Sequence, residues 1–158
     1  EKNTILKRSD SMTQQDVVKE LNQQVANWTV AYTKLHNFHW YVKGPNFFSL
    51  HTKFEELYDE ASQYVDDLAE RILAIGGNPI GTLTESLDKS IVKEAGKNYA
   101  AEQMVEELSH DFTNISKQLE HAIEVAGNAG DDVSEDMFIG MQTSVDKHNW
   151  MLQSYLGK

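Results

Sequence analysis

A chain of 158 residues is long enough for one domain with a real core, and its 40% hydrophobic and 25% charged content excludes disorder and fibrous structure. With no cysteine, disulfide scaffolds, thiolate metal ligands and cysteine nucleophiles are excluded. A formal charge of -11 disfavours nucleic-acid phosphates as partners and favours cations. No apolar run approaches the roughly 18 residues of a membrane span and the N-terminus lacks a signal-peptide core, so a cytoplasmic location is expected.

Residues 1–12, EKNTILKRSDSM, show no helical periodicity. Lys2, Lys7 and Arg8 against Glu1 and Asp10 give them +1, which leaves -12 on the remainder of a chain at -11. They read as a flexible tail, or as an expression-derived leader ahead of a start at Met12, with residues 13–158 as the folded domain. Thr13 and Asp16 form a capping pair. Val17, Leu21, Trp28, Tyr32, Leu35 and His39 then recur at helical spacing, which predicts a first helix over about 13–41. KGPN at 43–46 breaks it.

A second helix is predicted over about 47–75, with Leu50, Phe54, Leu57, Ala61, Tyr64, Leu68, Ile72 and Ile75 on one face, and GGNP at 76–79 stops it. The connection from 77 to about 100 holds one short helix in TLTESLDKS, 82–90. A third long helix follows over about 101–126, through Met104, Leu108, Ile115, Leu119 and Ile123. The fourth starts near Asp131 or Asp132 and runs to about 156 through Met137, Ile139, Val145, Trp150 and Leu152. No strand-like alternation occurs. Two short connections flanking a long one imply two antiparallel hairpins joined by a crossover, the ferritin-like form of the all-α four-helix bundle.

The chemistry concentrates on the second helix. At about 100° per residue, His51, Glu55, Asp66 and Glu70 share one stripe nearly opposite the apolar face. His51 with Glu55, and Asp66 with Glu70, are i,i+4 neighbours, and each pair can offer two ligand atoms to one cation. A solvated face is the competing reading, but Tyr58, Ser62, Ala69 and Leu73 on or beside the stripe are too small and too apolar for it. Glu55 and Asp66 stand about 16 Å apart along the axis, so one chain cannot bring them to the same ion. Two copies crossing antiparallel about a two-fold axis between Glu60 and Ala61 would pair His51 and Glu55 of one with Asp66 and Glu70 of the other, twice. Small Ala61 and Ser62 lie at that crossing. His39 falls in register with the apolar stripe of the first helix, where a hydrogen-bonded core histidine is the ordinary explanation, yet the hairpin carries it toward His51. Imidazoles and carboxylates without thiolate suit iron, zinc or manganese. His36, one turn earlier, reads as structural or exposed.

KLHNFHWYVKGPNFFSLHTKFEELYDEASQYVDDLAERILAIGG, with GDDVSEDM and DKHNWM further on, resembles the signature of the Dps family, mini-ferritins named as DNA-binding proteins from starved cells, across nearly everything from residue 14 onward. The resemblance implies a homododecamer built on two-fold dimers that oxidises ferrous iron, preferably with hydrogen peroxide, stores ferric mineral and protects against oxidative stress. It implies a ferroxidase site of His39, His51 and Glu55 from one subunit with Asp66 and Glu70 of the partner subunit, with room for two iron ions and with zinc or manganese as substitutes. Glu55 departs from the Asp of many members, which bears on metal spacing more than on ligand identity. Trp40 resembles the tryptophan beside the family's site, a candidate electron donor as well as a packing residue. Asp132 and Asp136 match acids of the family's three-fold pores and also suit a helix N-terminus. A third pore acid of some relatives aligns with Gly127, which implies a less negative pore.

Two alternatives stand beside this reading. Glu107 and His110, in EELSH, have the Glu-x-x-His spacing of di-iron bundles, but the motif occurs once. Nucleoid association with little iron chemistry would rest on residues 1–12, the only basic segment, so DNA binding is expected to be weak or absent.

Overall fold

In the computed structural model, residues 12–158 are described. They form α1 (Gln14–Tyr41), α2 (Phe47–Ala74), α3 (Leu83–Lys89), α4 (Ala101–Asn128) and α5 (Asp132–Tyr155), with no strand among the described residues. Residues 1–11 of the expected tail lie outside the described residues.

Each boundary has a local cause. The Thr13 hydroxyl accepts from the Asp16 amide at 3.3 Å, while the Asp16 carboxylate accepts from the Thr13 amide at 2.8 Å, so the expected capping box starts α1. α2 and α4 end at left-handed glycines, Gly76 at φ +84° and Gly130 at φ +72°. The next amides then reach back five residues, Gly77 to Ile72 and Asp131 to Ala126, both at 2.9 Å. Those bonds satisfy carbonyls that the helix ends would otherwise leave open.

Trp28 of α1 ties the four long helices together. Its ring lies 4.9 Å from Tyr64 of α2 and 5.9 Å from Phe112 of α4, and its indole N–H donates to Met141 Sδ of α5 at 3.3 Å. Around it the expected apolar faces of α2 and α4 are buried, with Tyr64, Ile75 and Ile123 at the margins. α5 differs from expectation. Phe138, Met141, Val145 and Leu152 are its core residues, whereas Ile139 and Trp150 are 44% and 65% exposed. The buried set is spaced by three, four and seven, and Ile139 and Trp150 fall outside that register. Tyr32 is likewise exposed, because it sits on the outer seam of α1 and α2 against His36 and Tyr58.

Polar contacts fix the helix directions. From Asn46 to Tyr155, Lys53 to His148, Glu60 to Ser144 and His148, and Arg71 to Ser134 and Asp131, numbers rise along α2 as they fall along α5. The same holds between α1 and α4 for Lys34 with Glu107 and Asp111, Asn27 with Gln118, and Glu20 with His121. α1 and α2 form a hairpin, so α2 and α4 run parallel, and the connection carrying α3 returns the length of the bundle. This is the ferritin-like topology.

Lys34 is almost wholly buried, with its ammonium 2.6 Å from Asp111 and 3.1 Å from Glu107. Burial raises the Asp111 carboxyl above its ordinary range, although Lys34 pulls against it. Lys34→Met should therefore destabilise the fold by about 3–5 kcal/mol in urea denaturation, and adding Asp111→Leu should restore most of the loss. Glu60 provides a second test. Burial pushes its carboxyl up, but hydrogen bonds from His148, Ser144 and Tyr64 outweigh this and hold it at about 2, below the ordinary 4.5. A folded value below the unfolded one contributes stability that is complete above about pH 4.5 and is lost as pH falls toward about 2. Glu60→Gln should remove on the order of 3 kcal/mol at neutral pH and flatten that acid limb, as followed by circular dichroism.

Candidate functional site

The α1–α2 hairpin places His39, in the last turn of α1, against His51, in the second turn of α2. Their rings stack with centroids 3.6 Å apart and planes 13° apart. His39 Nδ1 donates to the His51 carbonyl at 2.6 Å, and His51 Nδ1 donates to the His39 carbonyl at 2.8 Å. A carbonyl oxygen only accepts, so each Nδ1 carries the proton and each Nε2 of a neutral ring keeps its lone pair. An anchored second nitrogen is what orients a metal-binding imidazole. His39 is thus the buried, hydrogen-bonded histidine that its register implies, and it also has a free donor atom.

Glu55, one turn after His51, is exposed and accepts from the Tyr58 hydroxyl at 3.3 Å. Burial and then the Glu55 charge push the Tyr58 hydroxyl above its ordinary range. The Tyr58 ring stacks on His36 at 3.7 Å and stands edge-on to His39 at 5.3 Å. Trp40, 68% exposed, lies 5.3 Å from His36. Its indole therefore joins an aromatic run through His36 and Tyr58 to His39. Tyr58 and His36 were absent from the expected site, although the signal was available: Tyr58 is three residues from Glu55 and His36 three from His39, both on the facing stripes.

Asp66 and Glu70 project from α2 into solvent. α2 is unbroken from Phe47 to Ala74, so Asp66 remains about 16 Å along the axis from Glu55, and Glu70 about 28 Å from His51. Among the described residues, no three His, Cys, Asp or Glu side chains converge on a common point. One chain therefore brings His39 and His51 together, leaves Glu55 one turn further along α2 against Tyr58, and holds Asp66 and Glu70 apart from them.

The Glu-x-x-His alternative is not assembled. Glu107 pairs with Lys34, while His110 faces Asn114 at 3.1 Å. The bundle interior at that level holds an ammonium group, which repels metal ions.

Asp132 and Asp136 are exposed at the start of α5. Asp131 is the buried N-cap, accepting from Arg71, Ser134 and Gln14. Burial alone would raise its carboxyl, but those bonds take it below its ordinary value. Beside Gly127 the Glu135 carboxylate lies 3.2 Å from where a Cβ would stand. An acid therefore adjoins Gly127, the position from which a less negative pore was expected.

Comparison with known proteins agrees with the fold. A model of the ferritin-like domain matches residues 18–158. General stress protein 20U of Bacillus subtilis is 52% identical over 143 residues, covering 90% of this chain and 99% of that protein. DNA protection during starvation protein 2 of Bacillus anthracis is 49% identical over 142 residues, covering 90% and 97%. The crystal structure of Dps from Staphylococcus aureus superposes with a TM-score of 0.91 at 88% identity, covering 92% of this chain and 97% of that one. With its fold, the order of its helices and its histidine-bearing hairpin in place, the chain belongs to the Dps family of ferritin-like proteins.

Proposed function

We propose that the protein oxidises ferrous iron at sites shared between two subunits, preferably with hydrogen peroxide, and stores the ferric product within a homododecameric shell. The observation that carries this reading is the reciprocal bonding of His39 and His51, which leaves two anchored imidazoles with open Nε2 atoms beside Glu55. A second copy crossing α2 antiparallel supplies the missing Asp66 and Glu70. Imidazole and carboxylate ligands hold ferrous iron, and the carboxylates stabilise the ferric charge as it forms. Zinc or manganese fit the same donors and would compete for them.

Two ferrous ions each give up one electron, and the peroxide O–O bond takes both and breaks, its oxygens leaving as water or ferric-bound hydroxide. Paired delivery avoids the one-electron cleavage that frees hydroxyl radical. Trp40, whose ring neighbours His36 and through it Tyr58 and His39, would supply an electron to a stray oxidant. Asp132 and Asp136, with Glu135 nearby, would draw cations toward a three-fold entry. Exposed Phe48 at 84% and Leu83 at 72% are the kind of surface that subunit contacts cover. Among the described residues no helix is long and apolar enough to cross a membrane, in keeping with action in the cytoplasm. A charge of -11 favours protection of DNA by removing iron and peroxide over coating the nucleic acid.

Anaerobic ferrous titration followed by rapid mixing with peroxide or oxygen tests this function. Peroxide should oxidise bound iron faster than oxygen does, and His51→Ala and Asp66→Ala should each slow the reaction by about tenfold or more. Equal rates with both oxidants would remove the peroxide preference, and wild-type rates in both variants would remove the site.

A further inference from the structure

The segment EAGKNYA, 94–100, closes a second concave site against the end of α1 that the proposed iron chemistry does not use. Its volume is about 610 Å³, and its polar lining comes from Asn37, Tyr41, Lys43, Lys97, Asn98 and Tyr99. That volume falls in the ordinary range for a small-molecule pocket. No carboxylate lines it, although the chain carries -11. Among the described residues, neither Lys43 nor Lys97 takes part in an ion pair; the paired cations are Lys34, Lys53, Arg71 and two histidines. Two ammonium groups therefore share a concave surface with two amides and two phenols, a donor-rich set with no fixed negative charge to neutralise it.

The shape of the pocket is built as well as its charge. A Cβ at position 96 would lie 2.5 Å from the Tyr99 hydroxyl, so only glycine leaves room for that hydroxyl. The Tyr99 ring is anchored on the core at 5.9 Å from Phe38. Between them, Asn98 holds φ +61°, a left-handed conformation that asparagine tolerates better than most residues and that turns the chain around the cavity. Ala100, the N-cap of the 28-residue α4, borders the same space, which adds the positive end of a helix dipole to the lysines.

We propose that this pocket binds a phosphate group, carried either as inorganic phosphate or by a nucleoside monophosphate whose base meets the rings of Tyr41 and Tyr99. The oxygens of a doubly charged, tetrahedral phosphate accept from the ammonium, amide and phenol groups of the lining, whereas a metal cation would face the two lysines.

The test uses the assembled, metal-free full chain in calorimetric titrations at roughly 50 mM salt, where phosphate contacts are little screened. Inorganic phosphate, adenosine 5′-monophosphate and adenosine are the three probes. Saturable binding of a phosphate-bearing probe, with none of adenosine, is expected. Affinity should fall by about tenfold or more in Lys43→Gln/Lys97→Gln and also in Gly96→Ala, which displaces the Tyr99 hydroxyl. Equal affinities for the two phosphate probes would support free phosphate as the ligand, and about tenfold tighter binding of the nucleotide would support the nucleoside form. Ferrous oxidation in the lysine variant should match wild type, which separates this pocket from the iron site. No saturable binding of either phosphate probe, or wild-type affinity in both variants, would overturn the proposal.

Discussion

An uninterrupted α-helix cannot fold its two halves onto each other, and that rigidity governs what α2 is able to do. Phe47 to Ala74 form one 28-residue rod, with His51 and Glu55 near one end and Asp66 and Glu70 near the other. Each pair lacks the ligands it needs, and the distance between them is set by helical rise. A complete centre built from these residues therefore requires a second helix of the same kind, which makes the chemistry in this reading a property of assembly.

The interior of the bundle reinforces that outcome. Inward-facing carboxylates are already committed: Asp111 and Glu107 to Lys34, and Glu60 to His148, Ser144 and Tyr64. Lys53 approaches His148 Nδ1 at 3.1 Å, so the imidazole bridges an ammonium and a carboxylate along the α2–α5 seam. These contacts set helix register and leave no vacant acid in the core at those levels. The acids that stay open on α2 face outward. Their stripe begins beside the one place where two imidazoles are held by backbone carbonyls, the α1–α2 hairpin.

Much of this was legible in the residue pattern. Helix limits fell within about two residues of expectation because Thr13, KGPN, GGNP and the GNAG of residues 127–130 act locally, through caps and left-handed turns. The outward stripe of α2 was legible because helical geometry alone fixes it. Tertiary choices were harder to read. Ile139 and Trp150 share the hydrophobicity of core residues, and only packing against the other helices shows that Phe138 and Met141 take the inner positions. Lys34 reads as a surface lysine until α4 places two carboxylates over it. Gly127 reads as a position without charge until Glu135, a turn into the next helix, is found beside it. Tautomers were beyond the sequence altogether, because they depend on which carbonyl each Nδ1 meets.

Sharing of the centre between subunits is the claim on which the rest turns, and mixed assemblies of His51→Ala and Asp66→Ala chains test it most directly. Either variant alone spoils every site. A two-fold dimer containing one chain of each has one site with both defects and one with none, so random 1:1 mixing leaves about a quarter of the sites intact. Rapid ferrous oxidation should return to about a quarter of the wild-type rate in assemblies verified by mass to contain both chains. No recovery in those verified mixtures would contradict a site divided between two subunits.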